Sequence, residues 1–125
     1  MFRRRNKLGN VRTECDGYSF ASKLEAAVYQ ILKQRERSGE LKVLQTQDHV
    51  YLSAARIGYI PDFKCLDLLT KEEFWVEAKG FENYVWPIKK KLYKTYGPGK
   101  LEIWKGTYLK PFLHEIIIPP RREEI

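Results

Sequence analysis

The sequence predicts one small domain of mixed α/β (α+β) class, a central mixed β-sheet flanked by helices. Three observations lead there. The chain has 125 residues, 43% of them hydrophobic and 14% aromatic, enough to build one core but hardly two. One stretch repeats apolar residues at a helical period, and a later stretch ends at a firm helix stop. Around them lie short runs rich in aliphatic and aromatic residues, so that the order is helix, strands, helix, strands, as in a sheet with helices laid on it.

Element by element, Met1 to Arg12 carry Arg3, Arg4, Arg5, Lys7 and Arg12 with no acidic residue. This segment reads either as a solvated terminus or as an arm that follows phosphates. We assign 1–16 to a basic N-terminal arm, 17–119 to the domain and 120–125 to a charged tail. Residues 19 to 38 form the clearest helix: Leu24, Ala27, Val28, Ile31 and Leu32 make one apolar stripe. Ser22 with Glu25 fits a capping box, and Ser38-Gly39 a stop. Leu41, Val43 and Leu44 open a strand, and Val50-Tyr51-Leu52 lies in a second. Gly58 to Leu69 and Glu73 to Gly80 are two further strands, joined by Thr70-Lys71-Glu72 at antiparallel hairpin length. Residues 83 to 96 read as a helix with Pro87 near its start and Gly97-Pro98-Gly99 after it. Leu101 to Trp104 and Ile116 to Ile118 are the last strands.

Composition narrows the function. Lys and Arg number 23 against 16 Asp and Glu, a formal charge of +7 and a pI near 9.4, which favours a polyanionic partner, nucleic acid before anionic membrane. Cys15 and Cys65 are the only cysteines, which excludes a disulfide framework or a Cys-rich zinc site and fits a reducing, cytoplasmic compartment. No apolar run approaches the ~18–20 residues of a membrane span, and no apolar stretch follows the basic start as in a secretory signal.

The two central strands carry the chemistry. A short hairpin would hold Asp62 and Glu77 side by side, and neighbouring carboxylates need a cation. Lys79 lies two residues after Glu77 on the same strand face. Carboxylate oxygens beside a backbone carbonyl suit Mg²⁺ or Mn²⁺, and an ammonium there can position a water for attack. Against this stand a solvated Glu-x-Lys face with a weak ion pair, and Pro-Asp as simple turn chemistry.

The joint pattern resembles the PD-(D/E)xK nuclease superfamily. Pro61-Asp62 is similar to its PD element and Glu77-Ala78-Lys79 to its (D/E)xK element, while Glu25 matches in order the acidic residue of the preceding helix. Residues 17 to 105 follow that order. The similarity is greatest to small phage-encoded endonucleases and phage-type Holliday-junction resolvases, which share a Ser/Lys-x-Glu helix, a Pro-Asp-Phe strand, a Val-Glu-x-Lys-Gly strand and a lysine-rich helix after it.

The resemblance implies a restriction-endonuclease-like core and a Mg²⁺-dependent endodeoxyribonuclease, structure-selective for branched DNA. Asp62, Glu77 and the Ala78 carbonyl would hold the metal, Mg²⁺ or Mn²⁺, with Glu25 as a further ligand. Lys79 would orient the attacking water, and the products would carry a 5′-phosphate and a 3′-hydroxyl. Glu25 keeps its rival role as capping partner of Ser22. DNA would be held by Arg3, Arg4, Arg5, Lys7, Lys89, Lys90, Lys91 and Lys94, and cutting both strands favours a homodimer. The alternatives are a general duplex, nicking or flap endonuclease of the same fold, an inactive nuclease-fold DNA-binding module, and a basic RNA-binding protein. Gln45 and Gln47, between the helix and the Pro-Asp strand, either line the site or sit on a solvated face, and the solvated face is the favoured reading. His49 and His114 read as surface or packing residues, and Tyr84, Trp86, Tyr93 and Tyr96 as aromatics packed on the sheet.

Overall fold

The computed structural model describes residues 3–5, 11–80 and 82–121. The order of elements is β1 (Arg3–Arg5), β2 (Val11–Cys15), β3 (Tyr18–Phe20), α1 (Lys23–Arg37), β4 (Leu41–Thr46), β5 (Val50–Tyr51), β6 (Gly58–Tyr59), β7 (Phe63–Asp67), β8 (Glu73–Ala78), α2 (Trp86–Tyr96), β9 (Leu101–Thr107) and β10 (Lys110–Ile117). The class is α+β. Its centre is a five-stranded mixed sheet in the order β10-β9-β8-β7-β4. Only β8 and β9 run parallel, because α2 carries the chain between them; the other neighbours are antiparallel.

A helix covers each face. Leu24, Val28, Tyr29 and Leu32 of α1 pack with Leu41, Phe63, Cys65, Phe74 and Val76. Trp86 and Tyr93 of α2 pack with Trp75, Leu101, Ile103, Ile117 and the small β5–β6 hairpin, through Val50, Leu52 and Tyr59. Strand alternation produces this division: along β8, Phe74, Val76 and Ala78 meet α1, while Trp75 joins the α2 side.

The boundaries differ from the sequence expectation where local chemistry intervenes. The first helix begins at Lys23, not residue 19, because Ser22 is extended and its hydroxyl accepts from the Glu25 N–H at 3.1 Å. Tyr18–Phe20 instead form a strand paired with β2. The run from Gly58 to Leu69 is two strands, since Pro61 has no N–H for a ladder. The second helix starts at Trp86, not 83, because the Asn83 side chain takes the N–H groups of Val85 and Trp86. It ends at Gly97, where any Cβ would lie 2.5 Å from the Tyr93 ring. The last strand extends over Lys110–Ile117, and a bulge between Leu113 and Glu115 hides its alternation.

The segment expected as a basic arm contains structure. Arg3–Arg5 pair with Val11–Thr13, and Thr13 is buried. Lys7 lies outside the described residues. Cys15 and Cys65 are both free thiols. Among the described residues no helix is long and apolar enough to cross a membrane.

Candidate functional site

Asp62 stands one residue before β7, held by its neighbours on both sides. Pro61 is buried and restricts the approach, and the Asp62 carbonyl accepts from the Gln47 N–H at 2.8 Å. Pairing of Phe63 with Val76 brings Asp62 alongside Glu77, and its Oδ2 accepts from the Ala78 N–H at 2.8 Å. Glu77 is 6% exposed. Its Oε1 accepts from the Tyr59 hydroxyl at 2.6 Å, and its Oε2 lies 3.6 Å from the Lys79 ammonium. Lys79 in turn rests over the Trp86 ring, 4.4 Å from its centre, so α2 fixes the lysine at the mouth of the site.

Glu25 reaches the same end of the sheet from the α1 side. Its Oε1 accepts from the Gln47 side-chain amide at 3.1 Å, and that amide also lies 3.4 Å from Asp62 Oδ1. Its Oε2 accepts from the Ala21 N–H at 3.2 Å. The capping and site roles of Glu25 therefore coexist: its N–H is the capped group, and its carboxylate binds the turn before the helix and Gln47.

Electrostatics follow from burial. Burial raises the Asp62 carboxyl above its ordinary value, opposed by the Ala78 N–H and Lys79. Burial, and then the charge of Asp62, raises Glu77 well above its ordinary value, opposed by Lys79 and Tyr59. Burial, and then Glu77, pushes the Tyr59 phenol up as well. Two carboxylates share one neighbouring ammonium, so the pair is short of positive charge.

That shortage and the donor chemistry fit a hard divalent cation. Asp62, Glu77 and the Ala78 carbonyl offer oxygen only. Among the described residues no group of three or more His, Cys, Asp and Glu side chains is gathered closely enough to hold a metal ion. The link from Glu25 to Asp62 runs through the Gln47 amide, which places the Glu25 carboxylate at the same end of the sheet as the acidic pair.

Other expected residues divide. Lys91 and Lys94 are exposed on α2. Lys90 pairs with Glu115 at 2.5 Å, and Lys89 donates to the Gly58 carbonyl, so half of the lysine cluster is used within the fold. Trp86 and Tyr93 are buried, as expected for packing, while Tyr84 and Tyr96 are exposed. Gln45 and Gln47 are both exposed, as the solvated-face reading expects, and the Gln47 amide also reaches Glu25 and Asp62, the other reading open to it. A bulge between Val43 and Gln45 and a left-handed backbone at Gln47, φ 57°, turn it into the site. Tyr59 is a site residue the sequence reading passed over; a lone polar hydroxyl in the strand before Pro-Asp was its only signal.

Fold and site together define an α+β domain with a half-buried Asp62, a buried Glu77 and an adjoining lysine at one end of its sheet. The chain belongs to the DUF1064 family, described as a protein of unknown function, whose model matches residues 5–110. No curated protein matches it, and no solved structure does.

Proposed function

We propose that the chain is a metal-dependent DNA endonuclease of the PD-(D/E)xK type, hydrolysing phosphodiesters in branched DNA. The observation that carries this reading is the convergence of Asp62, Glu77 and Lys79: a half-buried and a buried carboxylate, both resisting ionisation, with an ammonium 3.6 Å from one of them. Such a cluster is costly to fold and is explained by a cation and an anionic substrate.

Asp62, Glu77 and the Ala78 carbonyl would hold Mg²⁺, or Mn²⁺ in its place. When bound, the ion supplies charge for the scissile phosphate and makes water a better nucleophile. The protein's own groups do the rest. Tyr59 fixes the Glu77 carboxylate by its hydrogen bond, and Gln47 fixes Asp62 from the backbone and from its side chain. Lys79, held over Trp86, orients the attacking water and stabilises charge developing on the phosphate. Water oxygen bonds to phosphorus, the P–O3′ bond breaks, and the 3′ oxygen leaves with a proton. Lys91 and Lys94 supply phosphate contacts. One site per chain favours a homodimer for paired cuts.

The test incubates the protein with a labelled four-way junction, a linear duplex of matched sequence and supercoiled plasmid, with Mg²⁺ or with EDTA. Mg²⁺-dependent cutting confined to the junction is the expected result. Cutting of duplex and plasmid as well would keep the nuclease and remove its selectivity for branches. Tight binding with no cutting in Mg²⁺ or Mn²⁺ would leave a DNA-binding module.

A further inference from the structure

The β5–β6 hairpin has two faces with different company. On the inner face, Val50 and Tyr59 pair and pack against α2, and Tyr59 reaches Glu77. On the outer face, Tyr51 pairs with Gly58 and remains 47% exposed. The His49 ring lies 4.9 Å from the Tyr51 ring, and the Arg56 guanidinium lies over Tyr51, 5.0 Å from its centre. An imidazole, a phenol and a guanidinium thus form one assembled aromatic and cationic surface, open to solvent, on the element whose reverse side holds the candidate active site.

Several features keep this surface in place. The His49 ring lies against Gly58, so that a Cβ there would meet His49 Nε2 at 2.8 Å and displace the imidazole. Arg56 has a left-handed backbone, φ 58°, a strained state for a residue with a side chain. The loop bonds of Arg56 N–H to Ser53 O at 2.9 Å and Leu52 N–H to Ile57 O at 2.8 Å hold it. Lys89 of α2 donates to the Gly58 carbonyl and ties the hairpin to the helix.

Composition indicates what the surface would meet. Residues 48 to 60 contain one acidic and one basic side chain, Asp48 and Arg56, so the hairpin adds no net field for phosphates. It exposes instead Tyr51, Ile57 and Ile60. A neutral segment with open π-surface suits the faces of bases, which a fully paired duplex keeps stacked inside itself.

We propose that the outer face of this hairpin, His49, Tyr51 and Arg56, is a stacking platform for unpaired nucleotides of a DNA substrate, next to the cutting site. The proposal rests on the nuclease reading for the nature of the substrate. It makes bases unpaired, or opened at a branch, beside the scissile phosphate a feature that the protein selects, and it preorganises their binding.

The experiment measures binding in Ca²⁺ by fluorescence anisotropy, comparing a perfect duplex with the same duplex carrying a short unpaired segment. Wild type, Tyr51→Ala, Tyr51→Trp and Arg56→Ala are compared, with thermal melts to confirm folding. Tyr51→Ala should weaken binding to the unpaired DNA about 10-fold and leave duplex binding within about twofold, with Tyr51→Trp restoring affinity. Quenching of 2-aminopurine in the unpaired segment should accompany wild-type binding and be lost in Tyr51→Ala. Equal weakening of both DNAs, or no change in either, would overturn the platform. Stronger binding of an RNA oligomer than of single-stranded DNA of the same sequence would overturn the assignment to DNA. Cleavage that persists with Tyr51-independent binding removes the platform alone, whereas Tyr51-dependent binding without metal-dependent cleavage removes the nuclease reading alone.

Discussion

Tyr59→Phe removes a single oxygen and tests the electrostatics of the site directly. The ring stays where it packs, 5.9 Å from both Trp86 and Tyr93, so the change reports on the 2.6 Å hydrogen bond to Glu77. A hydrogen bond to a charged partner contributes about 1.5–3 kcal/mol, and one to a neutral partner about 0.5–1.5 kcal/mol. The loss therefore depends on whether Glu77 is ionised. Its carboxyl is raised by burial and by Asp62 above the ordinary 4.5, so the folded chain keeps a proton that the unfolded chain has released, and stability declines as pH rises above that value. Removing the phenol raises the folded value further. Both proteins decline together at first, then wild type levels off while the variant continues to fall. Urea unfolding in EDTA at a series of rising pH values from 5 should show a small deficit at pH 5 that widens with pH, toward about 2 kcal/mol once wild-type Glu77 is ionised, roughly 6–10 °C in Tm for a chain of this size. A deficit that stays constant with pH would refute the reasoning, as would one that shrinks.

Other consequences follow from the same contacts. Gln47→Ala should lower Mg²⁺ affinity about 10-fold by calorimetry, as loss of a group that orients a ligand does, while the thermal melt barely moves. Replacing Lys91 and Lys94 together with Ala should reduce the slope of log K against log salt for DNA binding by about 1.8. Lys90→Ala should leave that slope unchanged and lower stability by no more than about 1 kcal/mol, because its partner is Glu115. Away from the site, Glu102 is 3% exposed and bound to Arg35 at 3.2 Å, Lys100 at 3.7 Å and the Trp104 indole at 3.1 Å. Arg35→Ala should cost about 3 kcal/mol in denaturant unfolding, and adding Glu102→Gln should recover most of it.

The elements that a local pattern specifies were legible in the sequence. The Ser22 cap, the turn between β7 and β8, and the two motifs holding Asp62, Glu77 and Lys79 each lie within a few residues of chain, where period and turn chemistry operate. What escaped depends on residues far apart in sequence. Gln47 is exposed, yet its amide reaches Glu25 and Asp62 because the chain bulges between Val43 and Gln45 and turns left-handed at Gln47, neither of which strand alternation foresees. Tyr59 looks like one more strand aromatic until Glu77 is folded onto it. A cluster of lysines looks uniform, yet Gly58 and Glu115 use two of them. Likewise, composition marks residues 1–16 as basic but does not reveal that β1 and β2 pair.

The most direct measurement is single-turnover cleavage of a labelled branched DNA by wild type and by Lys79→Ala at saturating Mg²⁺, with binding measured in parallel in Ca²⁺. The account predicts cutting by wild type that EDTA abolishes. It also predicts at least a 100-fold slower rate for Lys79→Ala, as for loss of a group that stabilises developing charge, with DNA affinity unchanged within about threefold. Equal rates for the two proteins would contradict it, and so would a wild type that binds the DNA and leaves it intact in every divalent cation.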